Sequence, residues 1–228
     1  MNLETGLHTN FPYPRRKARR FVLQILSRIA LPILVDLELQ GTENLPRSGP
    51  LLVVSNHFSF VDPVFLVRAL PWPIEFLGDF AMPNVPLLAT LIPRLWGYYP
   101  VNQHPASRIG LKAAAAVLAQ NGVLAIAPEG RLGEPELRTP QPGAAYLAAR
   151  TGARLLPLGL VGTPAVMPAL RNRRRAKVIV RIGQPIGPFH APGHGRRRRE
   201  ALDKISTHMM REIAALLPEA SRGPYRSS

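Results

Sequence analysis

His57 and Asp62 stand five positions apart in SNHFSFVDP, directly after the apolar run LLVV. An imidazole whose one ring nitrogen is held by a carboxylate has its other nitrogen free to take a proton, which is what a general base needs. On one continuous helix five residues turn about 500°, which leaves the two side chains roughly 140° apart and unable to meet. They meet if His57 lies in the loop leaving a strand and Asp62 at the start of the next helix. Ser59 or Asp62 can serve as N-cap and Pro63 suits a first helical turn, so this arrangement is expected. A helix start also offers unpaired amides to developing negative charge. Two ligands alone make a poor metal site, and with no HExxH pattern and no cysteine none is expected. A GxSxG elbow is also absent, so the pair reads as a base without a protein nucleophile. Taken alone, the pair reads first as a structural histidine beside a helix cap.

The elements that must hold this pair follow from periodicity. Short apolar runs at Leu51 to Ser55, Val123 to Ala127, Leu155 to Val161 and Lys177 to Ile182, with a weaker one at Ile74 to Leu77, alternate with helical segments. Helices are expected over Arg108 to Gln120 after a Ser107 cap, over Gly143 to Arg150 before Gly152, and from Arg196 to Leu217. Alternation of this kind marks an α/β fold with crossover helices around a mixed, largely parallel central sheet. Proline-rich stretches, Pro71 to Pro73, Pro83 to Pro86 and Pro135 to Pro142, read as connections, and no repeat forces a second globular unit.

Ahead of the sheet, RRKARRFVLQILSRIALPILVDLELQG is too interrupted, by Arg28, Pro32 and Asp36, for a membrane span. Up to Leu31 it reads as a basic amphipathic helix, with Arg20, Gln24, Ser27 and Arg28 opposite Phe21, Val22, Ile25, Leu26, Ile29 and Ala30. After Pro32 the period becomes two, a half-exposed strand. The helix either packs on its own domain or lies in a membrane interface. The expected division is 1–38, a membrane-associating helix and first strand, and 39–228, the catalytic domain.

Lys and Arg number 29 against 14 Asp and Glu, a formal charge of +15, which favours an anionic partner: nucleic acid or an anionic membrane surface. The basic runs RNRRRAK and GRRRRE lack interleaved aromatics, so nucleic acid is not expected. The absence of cysteine fits a reducing compartment.

NHFSFVD resembles the NHxxxxD motif of the glycerolipid acyltransferases, the 1-acyl-glycerol-3-phosphate acyltransferases and their relatives, with Asn56, His57 and Asp62 at the matching positions. LWGYYPVNQ, APEGRLGEP and LLPLGLVGT look like the second, third and fourth blocks, in the family's order, and the resemblance runs over roughly residues 39 to 225. It implies a glycerol-phosphate-acyltransferase-like fold in which His57 takes the proton from an acceptor hydroxyl and Asp62 orients it. The hydroxyl attacks a thioester directly, so acyl-CoA or acyl-carrier protein is a co-substrate and no cofactor is expected. The expected acceptor is a lysophospholipid, 1-acyl-sn-glycerol-3-phosphate in the first place, and the expected location the cytoplasmic membrane face, with the protein peripheral or monotopic. Asn56, Gln103, Glu129, Gly130 and Arg131 are the substrate-side candidates: Gly130 for close backbone approach, Arg131 for a bidentate phosphate contact. Glu129, which would repel a phosphate, is read as holding Arg131 or a backbone amide.

Two positions depart from the usual pattern. Gln103 stands where the second block usually closes with an arginine, and Leu132 where the third usually has one. A neutral amide makes a weaker contact than a guanidinium, about 1 against roughly 1.5 to 3 kcal/mol. Either Arg131, Arg108 or Lys112 supplies the charge, or the acceptor carries no phosphate, or the chain is a non-catalytic lipid-binding relative.

Overall fold

The computed structural model of the chain describes residues 11–78, 95–100, 107–133 and 135–226. Helix α1 (Lys17–Leu34) leads into β1 (Asp36–Gln40); β2 (Leu51–Ser55) is followed by α2 (Asp62–Ala69) and β3 (Glu75–Gly78). Then come β4 (Tyr99–Pro100), α3 (Ser107–Ala119), β5 (Val123–Ile126), α4 (Gly143–Thr151) and β6 (Arg154–Val161). A short α5 (Val166–Arg171), β7 (Lys177–Ile182) and the long α6 (Gly195–Ala215) complete the chain.

The seven strands form one sheet in the order β1-β7-β6-β2-β5-β3-β4. Every neighbouring pair is parallel except β6 and β7, which makes the sheet mixed and largely parallel, as the sequence implies. Central β2 is buried at all five positions, as expected of a parallel strand covered on both faces. One face packs Leu52, Val54, Leu124 and Leu155 against α3, α4 and α6; the other packs Leu51, Val53, Leu156 and Val178 against α1, α2 and Trp96. Ile205, Met209 and Ile213 of α6 lie in the first of these cores, the contact their helical spacing predicts.

Three features differ from expectation. Helix α1 runs through Pro32 to Leu34 and does not stop before it. Proline in the last turn frees only one earlier carbonyl, and Arg175 takes up the next ones, donating to the carbonyls of Pro32 (2.6 Å) and Val35 (2.7 Å). Strand β1 pairs with β7 at all five positions, Asp36↔Lys177 to Gln40↔Arg181, so the interval across the expected 38/39 boundary belongs to the sheet. The two-residue β4 and the six-residue α5 were not anticipated, both being too short for periodicity to show.

Helix α1 turns its polar side inward. Arg20 and Gln24 are buried, while Phe21, Val22, Ile25, Leu26, Ile29, Ile33 and Leu34 are exposed. The inward polar groups are satisfied: Gln24 donates to the Leu70 carbonyl at 2.7 Å, and the Arg20 guanidinium grips both carboxylate oxygens of fully buried Glu75. Arg15 reaches the same carboxylate at 2.6 Å, and Arg20 Nε donates to the Trp96 carbonyl at 3.1 Å. Two guanidiniums on one carboxylate offset the desolvation of a charge at the sheet edge.

Candidate active site

The site is built where β2 and β5 end side by side. Their parallel register, Leu51↔Val123 to Val54↔Ile126, carries on past both strands and sets His57 level with Glu129. The contact is made there: the His57 backbone amide donates to Glu129 Oε1 at 3.1 Å. Glu129 Oε2 accepts the Arg138 amide at 3.2 Å, and the His57 carbonyl accepts the Gly133 amide at 3.0 Å. The loop after β5 is thereby stitched to the loop that carries the histidine. Burial pushes the Glu129 carboxyl up to about 7, although its two amide donors and the nearby His57 and Arg138 act in the opposite direction.

The other flank is fixed by Asn56. It is fully buried, its amide donates to the Leu160 carbonyl at 2.9 Å, and its carbonyl accepts the Leu160 amide at 2.7 Å. A side chain here continues the β2–β6 ladder after the backbone has turned away. Its amide and its carbonyl each bond the backbone of β6, which anchors the residue before His57 to that strand.

Between these clamps His57 Nδ1 lies 3.0 Å from Asp62 Oδ2, with the aspartate side chain 2% and the imidazole 19% exposed. Asp62 sits in the first turn of α2 and reaches back to accept the Ser59 amide at 2.9 Å through the same oxygen, while Ser59 Oγ accepts the Val61 amide at 3.4 Å. The Asp62 amide in turn donates to the Ser59 backbone carbonyl at 3.1 Å, so a tight turn over 59–62 is how a helix start and a strand-end loop bring the pair together. A carboxylate accepts, so Nδ1 carries the proton and the Nε2 lone pair is free. This geometry can remove a proton from a hydroxyl and hold the resulting imidazolium against a buried carboxylate.

Gly130 turns the loop after Glu129 with φ 73°, and a Cβ there would meet Gln141 Cγ at 2.9 Å. Arg131 follows on the exposed rim, and Lys112 is exposed on α3. Glu129 holds backbone amides and not Arg131. Gln103 and the Arg108 side chain lie outside the described residues. The partners that the motifs alone did not reveal are backbone groups: Ser59, Arg138, Gly133 and Leu160. Ser59 lies inside the motif, where the expected helix cap points to it; the other three depend on how the loops beyond β2, β5 and β6 come together. Among the described residues no cluster of three or more histidines, cysteines and acids could hold a metal.

A strand-end histidine locked to a helix-start aspartate on a mostly parallel sheet is an α/β scaffold with a general base at its strand ends, the arrangement that the NHxxxxD resemblance implies. The chain belongs to the Acyltransferase family, whose model matches residues 36–161. It is 29% identical over 210 residues to a chloroplastic 1-acyl-sn-glycerol-3-phosphate acyltransferase of Arabidopsis thaliana, covering 87% of this chain and 56% of that protein. A chloroplastic enzyme of the same name from Brassica napus is 28% identical over 207 residues, covering 86% and 57%. This chain thus spans about half the length of the curated relatives it matches. In solved structures its fold matches the 1-acyl-sn-glycerophosphate acyltransferase PlsC of Thermotoga maritima, with a TM-score of 0.62 at 21% identity, over 90% of this chain and 82% of that one.

Proposed function

We propose that this protein transfers an acyl group from a thioester donor to the free hydroxyl of 1-acyl-sn-glycerol-3-phosphate at a membrane surface. The observation that carries this is the 3.0 Å contact between His57 Nδ1 and buried Asp62, which leaves Nε2 as the base. Nε2 takes the proton as the acceptor oxygen attacks the thioester carbonyl. The carbon–sulfur bond then breaks, and the imidazolium returns the proton to the departing thiolate. No acyl-enzyme forms. The relatives' names support the acceptor, and exposed Arg131, two residues after Glu129, is the cation we assign to its phosphate.

The inverted helix α1 supports the membrane part of this reading. Seven large apolar side chains on its outer side form a patch of the kind that soluble surfaces avoid, and Arg171, Arg173 and Arg174 are exposed near its C-terminal end. No helix among the described residues is long and apolar enough to cross a membrane.

The neutral Gln103 favours one second reading, an acceptor without a phosphate. Release of free thiol tests both, and the lack of cysteine in the chain removes any background from the protein itself. With acyl-CoA or acyl-carrier protein, release should require lysophosphatidic acid and fall by about 10²–10⁴ in His57→Ala. Release only with an uncharged lyso-lipid would select the second reading. Turnover retained in His57→Ala would remove the base.

A further inference from the structure

Away from the histidine, an open groove of about 490 Å³ runs between the start of α4 and the first three turns of α6, lined by Pro140, Pro142, Arg198, Arg199, Leu202 and Ser206. Asp203 also borders it. That volume is within the range of small-molecule sites. Spacings of three and four put the α6 residues on one stripe, so Ser206 lies roughly 12 Å along the helix from Arg198. The stripe is graded. Arginines stand at the helix start, where unpaired backbone amides add to the positive potential; Leu202 faces the two prolines in the middle, and Ser206 lies at the far end. Ser206 is only 6% exposed, and among the described residues its hydroxyl makes no hydrogen bond. Arg196 is engaged by Glu200 at 2.7 Å, but no carboxylate among the described residues pairs with Arg198 or Arg199. The Arg198 guanidinium lies 5.9 Å from the centre of the Tyr146 ring of α4.

The groove's proline wall neighbours the loop that carries the site. Pro140 and Pro142 flank Gln141, which packs on Gly130, and Glu129 beside it holds the His57 amide. A ligand that suits this gradient has a polyanionic head, an apolar or amide-bearing middle and a thioester that reaches past the Gly130 turn.

We propose that this groove binds the coenzyme A portion of an acyl-CoA donor, with Arg198 and Arg199 on its phosphates. The pantetheine arm would run over Pro140, Pro142 and Leu202, where Ser206 and Asp203 meet its amides and hydroxyl. This rests on the acyl-transfer reading above, but it is tested without turnover. Titration calorimetry of the intact protein with coenzyme A alone should detect binding, weakened at least tenfold in Arg198→Ala/Arg199→Ala and less in Arg198→Lys/Arg199→Lys. Unaltered thermal unfolding would show that the variants fold. In the thiol assay the alanine variant should raise KM for acyl-CoA about tenfold while leaving kcat, and KM for acyl-pantetheine, unchanged. No binding of coenzyme A by the wild type overturns the proposal, as does equal binding by the alanine variant. A KM rise confined to acyl-carrier protein overturns it too, by assigning the arginines to that partner. Binding of coenzyme A that depends on the arginines, in a protein with no turnover, would uphold the groove and reject the reaction.

Discussion

At the scale of single residues, the site rests on two carboxylates given different work by their surroundings. Asp62 is buried against an imidazole and an amide, whereas Glu129 is buried against two amides. Burial dominates at Glu129, whose carboxyl rises from 4.5 to about 7. A folded-state value above the unfolded one means that the native protein binds the extra proton. The stabilisation is therefore complete below pH 4.5 and lost as pH rises through about 7. A shift of that size corresponds to about 3 kcal/mol. Denaturant unfolding of the wild type and of Glu129→Gln should give a stability difference that falls, relative to the variant, between pH 4.5 and 7.5. A difference that rises over this range would mean that the amides outweigh burial. Asp62→Asn should lower turnover by about 10²-fold or more with little change in acceptor KM, because an amide no longer fixes the Nδ1–H tautomer. Equal turnover would reduce Asp62 to a helix cap.

At the scale of elements, the inward polar side of α1 shows where pattern and packing part. The amphipathic face of α1 is plain from Arg20, Gln24 and Phe21 through Ile29, but pattern alone does not say which side is inside. That was decided by Glu75, a lone acid in a short apolar strand, through its contacts with Arg15 and Arg20. Removing one partner of a buried ion pair leaves a charge without compensation, a cost of about 3–5 kcal/mol. Glu75→Leu should thus destabilise the protein by about that much, Arg20→Met by less because Arg15 remains, and the double variant by less than the sum. Additive losses in that cycle would show no coupling between helix and strand. The same contrast governs what was legible. Strands β2, β5, β6 and β7 and helices α3, α4 and α6 stand out by period within a residue or two. The His57–Asp62 contact follows from Pro63 and the strand before it. The bonds from Glu129 to the His57 amide and from Asn56 to Leu160 need the sheet order, which links residues 72 and 104 positions apart.

At the scale of the whole molecule, charge and apolar surface act together. The formal +15 attracts any polyanion, but it is distributed. Arg171, Arg173 and Arg174 lie by the end of α1, whereas Arg198 and Arg199 lie on the opposite face of the sheet beside the groove. The first set would touch lipid headgroups and the second a soluble donor, so the two functions separate by mutation. Sedimentation with anionic liposomes should show this. Leu26→Gln/Ile29→Gln removes side chains that are 54% and 60% exposed, each contributing about 1 kcal/mol to insertion, and should weaken binding tenfold or more at every salt concentration. Arg173→Gln/Arg174→Gln should weaken it mainly at low salt and flatten the salt dependence, because headgroup attraction is screened within about 10 Å at 0.1 M. The alanine pair at 198 and 199 should leave liposome binding as it is. If that pair weakened it instead, while the α1 variants had no effect, the membrane would lie against the face that carries α6, and the outward apolar side of α1 would have to be covered by something other than lipid.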